Sequence, residues 1–108
     1  MVRAAALEMT MNPLPADQVV GGSPRTGAAA IPAVGGLDAG VWEHTAGTST
    51  DVEADEVFVV LRGRATIEVD GGPVLEVGPG DVAVLEAGAR TTWTVHEDLR
   101  KVYVTTPP

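Results

Sequence analysis

Glu56 and His44 are the two side chains in this sequence whose types suit acid-base chemistry at a buried site. Glu56 stands directly before the apolar run 57–61, so a strand through this run would carry its carboxylate toward the protein interior. A buried carboxylate needs a metal, a cation or hydrogen-bond donors to offset its lost hydration. His44 could act as a general base or as the ion partner of Glu56, because imidazole titrates near neutral pH. The alternative for His44 is a strand residue that faces solvent.

Other polar side chains are expected to have structural roles. His96 lies in a predicted turn and should be exposed, and Asp81 should cap the turn GPGD through bonds to the backbone. Arg100 and Lys101 are either solvated ends of a strand or a clamp for an anionic ligand, and solvation is the preferred interpretation. Motifs of serine hydrolases, phosphate-binding loops and zinc proteases are absent from the sequence, and with Cys 0 there is no thiol nucleophile. Serine catalysis is therefore not expected.

The chain that must position these residues has the pattern of an all-β protein. From Leu37 onward, brief apolar runs are separated by the turn signals AGT, RG, DGG, GPGD and EAGA, which predicts a β-sandwich or barrel. Asp70-Gly71-Gly72 predicts a tight hairpin turn, because glycine readily takes positive φ angles. Residues 1–36, rich in Ala, Gly and Pro, are interpreted as an N-terminal arm with short edge strands. Residues 37–108 are interpreted as the body of the barrel.

The run 57–61 is apolar on both of its faces. If the face of Glu56 lines the interior, the opposite row of Val57, Val59 and Leu61 still needs cover. We expect a homodimer to supply that cover, because twofold pairing is the commonest closed symmetry. The alternative cover is the arm of the same chain, through its QVV and AAAIPAV segments.

The composition limits the possible partners and location. A chain of 108 residues is expected to form one domain. Its net charge of -8, from Lys+Arg 7 and Asp+Glu 15, opposes binding to nucleic acid or to an anionic membrane surface. The N-terminal stretch MVRAAALEMTMNPLP is too short in apolar residues for a signal peptide or a membrane span. A cytoplasmic location is the expectation.

Two segments resemble the paired motifs of the cupins, which are small β-barrels of the jelly-roll type. Gly47, Glu56 and Gly63 fit the first motif, and GPGDVAVLEAG at 78–88 fits the second. The order and spacing of further segments, including GVWEHTAGTSTDVEADEVFVVLRG and LRKVYV, look like the subgroup related to the (S)-ureidoglycine aminohydrolase cupin domain. The resemblance implies an all-β, single-domain protein with a cupin-type jelly-roll barrel.

The cupin resemblance also implies a divalent metal held by three histidines and one glutamate, and most of these ligands are missing. Glu56 holds the glutamate position. The histidine positions fall on Thr50 and Val52, or with a longer spacer on Ser49 and Asp51, and in the second motif on Thr91. A transition metal needs about three or four protein ligands of suitable type. Neither a metal nor another cofactor is therefore expected.

Strand alternation brings aromatic and polar side chains together in the predicted barrel interior. Trp42 and His44 share one face of their strand, and Lys101 and Tyr103 share one face of the last strand. The predicted ligand pocket comprises Trp42, His44, Thr50, Val52, Glu56, Phe58, Thr91, Trp93 and Tyr103. A wall of this kind suits a small molecule, and the alternative is that the aromatic residues only fill the core.

Three functions remain open from the sequence. The first is a small metal-free cupin that binds a small molecule in the barrel interior. The second is an enzyme of ureide or amino-acid catabolism, as the subgroup resemblance implies, with His44 and Glu56 as an acid-base pair. The third is a non-catalytic scaffold subunit, since one fold can host many functions.

Overall fold

Nine β-strands form one curled sheet in residues 1–107, the part of the chain that this computed structural model describes. The strands are β1 (Asn12–Pro13), β2 (Val19–Gly21), β3 (Arg25–Ile31), β4 (Asp38–His44), β5 (Gly47–Val52), β6 (Glu56–Val69), β7 (Val74–Val77), β8 (Val82–Leu85) and β9 (Arg90–Thr105). The helical content of the described residues is two 3₁₀ turns, Ala4–Ala6 and Ala16–Gln18. Neither turn approaches the length or apolar character of a membrane-crossing helix. The all-β prediction is confirmed.

Strand β9 is the centre of this sheet. One of its edges pairs antiparallel with β6, and its other edge pairs with β5 over residues 90–95 and with β4 over residues 99–105. The second edge of β6 holds β8 beside residues 56–59 and β7 beside residues 65–68. Strands β3 and β2 extend the sheet beyond β4 and β5. The two longest strands, β6 and β9, therefore pair directly with four of the other seven strands.

Strand β6 bends at Gly63 and continues beyond it. Its register with β9 shifts between Val60 and Ala65, which marks a bulge. Gly63 has a φ of 86°, and a Cβ there would overlap the backbone of Asp98 and Leu99, so the position requires glycine. The prediction of a turn at this RG signal was wrong, because the strand absorbs the positive φ as a bulge instead of reversing.

The core fills the inside of the curl. Ala65 and Ile67 are buried while Thr66 and Glu68 on the opposite face are not, as the alternation predicted. The buried apolar cluster consists of Phe58, Val60, Ala65, Ile67, Val77, Leu85, Trp93, Val95 and Leu99. This cluster lies under the strands that also carry the polar residues described below.

Three local predictions about turns can be compared with the structure. Asp70-Gly71-Gly72 forms the predicted β6–β7 turn, with Gly71 at a φ of 71°. Asp81 caps its own turn, because its Oδ2 accepts a 2.8 Å hydrogen bond from the Gly78 N–H. His96 is exposed as predicted, but it lies within β9 and not in a turn.

The N-terminal arm adds strands to the sheet and covers Arg100. The QVV segment contributes to β2 at the sheet edge and the AAAIPAV segment to β3 between β1 and β4, and Val57 stays 47% exposed. The Arg100 guanidinium donates to the carbonyls of Ala4 at 2.9 Å and Leu7 at 2.7 Å, and to Glu43 at 3.1 Å. The prediction of a solvated Arg100 was wrong, because the first seven residues lie over it.

Four valines stay exposed on the outer face of β6, β8 and β9. Val57 pairs across the strands with Val84 and Val104, and Val82 pairs with Val59 beside them. Cross-strand partners lie on the same face of a sheet. We call Val57, Val82, Val84 and Val104 the valine patch, and their exposure runs from 39% to 66%. A contiguous apolar surface of this kind is typical of an association site.

We expect the valine patch to pair with a second copy of the chain. Light scattering at micromolar concentration should then give twice the chain mass of 11.1 kDa. Val84→Asp should convert the protein to a monomer, because pairing would bury an uncompensated charge. Val74 provides a matched control: it is 61% exposed, compared with 65% for Val84, but it lies opposite Glu68 at the other end of β6. Val74→Asp should leave the mass unchanged, and a monomeric unmodified chain would contradict the expectation.

Candidate functional site

A cavity of about 190 Å³ lies between β4, β5, β6 and β9. Six of the residues predicted for the pocket line it: Trp42, His44, Thr50, Glu56, Trp93 and Tyr103. Four polar residues that were not assigned to the pocket line it as well: Ser49, Asp51, Glu53 and Lys101. The N-terminal arm closes part of the wall with Leu14, Gln18 and Thr26. The cavity is therefore more highly charged than the sequence suggested.

Three residues predicted for the pocket lie outside the cavity wall. Val52 is 56% exposed and pairs with Arg90 at the outer end of β5. Phe58 is buried in the core, beneath the ammonium group of Lys101. Thr91 is buried and donates a hydrogen bond to Glu53. Phe58 and Thr91 thus support the residues that line the wall.

Lys101 supplies the positive charge that the Glu56 carboxylate requires. Its Nζ lies 2.8 Å from Glu56 Oε2, and both side chains are nearly buried. The same ammonium lies 4.5 Å from the ring centre of Trp42, 4.4 Å from that of Phe58 and 4.8 Å from that of Trp93. The negative π faces of these rings, which we call the aromatic cage, attract a cation. The prediction of a solvated Lys101 was wrong: the residue is 4% exposed, because its strand position faces the interior.

The divalent metal that the cupin resemblance implies does not fit these residues. An ammonium already lies against the carboxylate at the position that should hold the metal, and a second cation beside it would be repelled. Within residues 1–107, no group of three or more His, Cys, Asp or Glu side chains is placed to hold a metal ion. Both ring nitrogens of His44 are engaged in hydrogen bonds.

Glu53 is a second carboxylate of the cavity, and sequence reasoning did not find it. Its Oε2 accepts hydrogen bonds from the Thr91 hydroxyl at 2.6 Å and from the Trp93 indole N–H at 3.1 Å. Thr91 stands at the position of the third metal-binding histidine in the cupin motif, so here that position orients a carboxylate. One signal was available in the sequence: a tryptophan in a barrel interior needs an acceptor for its N–H group.

His44 is buried and hydrogen-bonded in a way that fixes its tautomer. Its Nδ1 lies 2.6 Å from the Thr45 carbonyl oxygen, which can only accept, so Nδ1 carries the proton. Nε2 is then an acceptor, and the Ser49 hydroxyl donates to it at 2.8 Å. His44 is therefore not the ion partner of Glu56, and the two side chains are not hydrogen-bonded to each other.

The environment of His44 favours its neutral form. Burial lowers the pKa of His44, and the positive charge of Lys101 lowers it further. The hydrogen bond to the Thr45 carbonyl and the charge of Asp98 act in the opposite direction without outweighing burial. With its pKa below the ordinary 6.5, the imidazole is a proton acceptor at neutral pH.

Carboxylates outnumber cations along the cavity wall. Asp51, Glu53 and Glu56 line it together with the single ammonium of Lys101. Asp51 lies at the rim, where partial desolvation raises its pKa and the neighbouring charge of Glu53 raises it further. This crowding of negative charge leaves the cavity with an excess of hydrogen-bond acceptors.

Tyr103 completes the wall on β9. It packs against Gly40 of β4, where a Cβ would overlap the Tyr103 hydroxyl, so glycine at this position makes room for the ring. Partial burial raises the pKa of Tyr103, and the charges of Glu56 and Asp38 raise it further. The phenol therefore stays protonated and can donate a hydrogen bond.

Comparison with known proteins gives a family and a fold. A family model described as the EutQ-like cupin domain matches residues 33–103. Among curated proteins, no sequence relative of the chain was found. The structure of the Clostridium difficile EutQ protein superposes with a TM-score of 0.77 at 19% identity, covering 99% of this chain and 86% of that one.

Two further solved structures share the architecture. A Rhizobium leguminosarum bv. viciae 3841 protein of unknown function superposes with a TM-score of 0.68 at 27% identity, covering 77% of this chain and 82% of that one. Ectoine synthase from P. lautus superposes with a TM-score of 0.68 at 20% identity, covering 89% of this chain and 69% of that one. The predicted cupin-type jelly roll is confirmed.

Removing the charge of Lys101 should destabilise the protein strongly. In Lys101→Met the Glu56 carboxylate stays nearly buried without its cation, so the free energy of unfolding should fall by about 3 to 5 kcal/mol in urea titrations. Adding Glu56→Gln should recover part of that loss. Arg64→Met is the control: it removes only an exposed contact to Glu97 at 3.5 Å and should cost less than about 1 kcal/mol. Equal stability of Lys101→Met and the unmodified protein would contradict the assigned role.

The lowered pKa of His44 predicts a pH dependence of stability. The unfolded chain takes up a proton on this residue near pH 6.5, while the folded protein resists protonation. The contribution is therefore fully present above pH 6.5 and is lost as the pH falls through the lowered pKa. Urea titrations across this range should show a steeper decline for the unmodified protein than for His44→Gln. The control is His96→Gln, which removes the exposed histidine and should keep the decline; identical slopes in all three proteins would refute the prediction.

Proposed function

The chain belongs to the EutQ-like cupin family, and from this membership we propose that it binds a small polar molecule in the barrel cavity without a metal ion. The observation that carries the proposal is the cavity of about 190 Å³, whose wall combines aromatic rings with charged groups. A water molecule occupies about 30 Å³ in the liquid, so the cavity suits a ligand of roughly six to ten non-hydrogen atoms.

The charges of the wall favour a ligand that is rich in N–H groups. Lys101 is already neutralised by Glu56, so Glu53 and Asp51 are the charges that act on an incoming molecule. Donors or a positive charge on the ligand would be attracted to these carboxylates, while a dicarboxylate would be repelled. The ring of Trp42 offers an apolar surface for the remainder of the ligand. Small amines, amides and ureides fit this description better than organic acids.

The comparisons support the cupin fold on which this proposal rests. EutQ of Clostridium difficile and the ectoine synthase of P. lautus are too distant in sequence to support more than the fold. The finer resemblance of the sequence to the ureidoglycine aminohydrolase cupin domain supports a nitrogen-rich ligand. The cytoplasmic location remains a prediction, and the expectation of no nucleic-acid or membrane partner still rests on the net charge of -8.

A catalytic role in ureide or amino-acid catabolism is the second candidate. His44 and Glu56 both line the cavity, so they could act on different atoms of one ligand although they do not contact each other. Turnover of a ureide that is unaffected by replacing both residues would eliminate this candidate.

Ligand binding can be measured through the intrinsic fluorescence of the protein. The chain has two tryptophans, and both Trp42 and Trp93 line the cavity, so a bound molecule should change the emission. A panel of small amines, amides and ureides should give saturable changes, while sugars and dicarboxylates should not. Glu53→Gln should weaken the binding of a cationic ligand by roughly tenfold, which corresponds to the loss of one charge contact.

Glu68→Gln is the control for this titration, because Glu68 is exposed on the outer face of β6 and should leave binding unchanged. If the emission responds to no compound, a scaffold role would be favoured over ligand binding. A stoichiometric transition metal that resists dialysis would contradict the metal-free part of the proposal.

A further inference from the structure

Ser49 and His44 form a hydrogen-bonded pair at the cavity that ligand binding alone does not require. The Ser49 Oγ lies 2.8 Å from His44 Nε2, and the residues are 5% and 1% exposed. Both also line the cavity wall, so the pair is sheltered from solvent but adjoins the space for a ligand.

The direction of this hydrogen bond follows from the partners of the imidazole. Because Nδ1 donates to the Thr45 carbonyl, Nε2 has a lone pair directed at Ser49, and the hydroxyl must be the donor. A serine hydroxyl that donates to a neutral, oriented imidazole has the arrangement of an activated nucleophile. The Thr45 carbonyl has the orienting role that a carboxylate has in a catalytic triad.

The backbone around the pair holds this geometry. Ser49 lies in β5 between Val19 of β2 and Trp93 of β9, so strands pair with it on both sides. The short β4–β5 connection is tied down by the Ala46 N–H, which donates to Asp98 Oδ1 at 2.8 Å. His44 and Ser49 are five residues apart in the chain, and the pairing of their strands holds the two side chains in contact.

Positive charge lies close to the pair. Lys101 lines the same cavity, and its positive charge adds to the effect of burial in lowering the pKa of His44. Because this ammonium is paired with Glu56 at 2.8 Å, it contributes little to stabilising the negative charge that develops on a carbonyl oxygen during nucleophilic attack. The cavity therefore contains a nucleophile and a base.

We propose that Ser49 is a nucleophile that accepts an acyl group from a small ester, with His44 as its general base. Ser49 Oγ forms a bond to the ester carbonyl carbon while its proton moves to His44 Nε2, and the bond from that carbon to the leaving oxygen then breaks. The leaving oxygen departs with the electron pair of the broken bond, and the proton on His44 passes to it or to solvent, which returns the imidazole to its neutral form. A water molecule then attacks the acyl carbon and gives one proton to His44 Nε2. The bond from that carbon to Ser49 Oγ breaks, Oγ takes the proton back from His44, and a carboxylic acid leaves.

This activity goes beyond ligand binding, and no motif in the sequence predicts it. The nucleophile of α/β-hydrolases lies at a sharp turn within a G-x-S-x-G motif, whereas Ser49 lies on a strand within TST. A neutral carbonyl stabilises the imidazolium less than a carboxylate does, so acylation and deacylation should both be slow. An ester with a good leaving group should acylate Ser49 faster than water removes the acyl group, so the acyl form should accumulate.

The test uses the full chain and p-nitrophenyl acetate, whose acetyl group is small enough for the cavity. Release of p-nitrophenolate should be accompanied by addition of one acetyl group in intact-mass spectra, and peptide mapping should place it on Ser49. Ser49→Ala should abolish this adduct, and His44→Gln should slow its formation by roughly a hundredfold, the usual contribution of a general base. The chain has two serines, so Ser23→Ala at the exposed serine is the matched control and should behave as the unmodified protein.

Acetylation confined to lysines or the N-terminus, with none on Ser49, would overturn the proposal. Equal rates of Ser49 acetylation in His44→Gln and the unmodified protein would overturn the role of His44. These outcomes do not depend on the proposed ligand, because an unreactive Ser49 is compatible with saturable fluorescence titrations.

A cysteine variant keeps the proposal testable if Ser49→Ala or His44→Gln fails to fold. The chain has no cysteine, so Ser49→Cys places a single thiol beside His44, and Ser23→Cys places one on the surface. Thiolate absorbance should show a lower pKa for the thiol of Ser49→Cys than for that of Ser23→Cys, because a thiolate beside an imidazole is stabilised as an ion pair. A thiol in Ser49→Cys that titrates at or above the value of the surface thiol would contradict activation by His44.

Discussion

The buried ammonium of Lys101 is the interaction on which the arrangement of the barrel depends. An ammonium that is removed from water costs several kcal/mol unless its charge is compensated, and total stabilities are only about 5 to 15 kcal/mol. The compensation comes from Glu56 at 2.8 Å and from the aromatic cage of Trp42, Phe58 and Trp93. The ion pair joins β6 to β9, so a shift of either strand would leave a charge without its partner, and Trp42 adds a contact from β4. The ion pair and the aromatic cage together therefore favour one register for three strands as well as contributing to stability.

This internal cation changes what a cupin barrel can do. A metal ion can be lost and regained, and it offers open coordination positions to a ligand. The ammonium of Lys101 is covalently tied to β9, and one of its contacts is the carboxylate that would otherwise bind the metal. The ammonium still supplies a positive charge inside the barrel, and burial, with a smaller contribution from this charge, lowers the pKa of His44. The neighbouring polar groups His44, Ser49 and Glu53 are accordingly held by hydrogen bonds.

The sequence predicted those features that depend on local periodicity, and it failed where distant residues meet. The alternating burial along β6 and the Asp70-Gly71-Gly72 turn could be predicted because each depends on residues that are neighbours in the chain. Lys101 was interpreted as solvated because its burial makes sense only with Glu56, 45 residues away. Glu53 lies outside any strand, and its donors Thr91 and Trp93 are 38 and 40 residues away. A turn was predicted at Gly63 because both a turn and a bulge require a residue with positive φ, which glycine adopts readily.

The polar groups of the cavity divide into those that hold the fold and those that remain available to a ligand. Lys101 and Glu56 satisfy each other, so their charges contribute mainly to the fold and to the field inside the barrel. Glu53 uses Oε2 to hold Thr91 and Trp93 and still lines the cavity, so it serves both purposes. The bond between Ser49 and His44 ties β4 to β5, yet a proton transfer along it would expose a nucleophile without moving any strand. A barrel with an ion pair at the position of the metal can therefore carry Ser49 and His44 beside that pair, because the stability of the fold does not depend on these two residues alone.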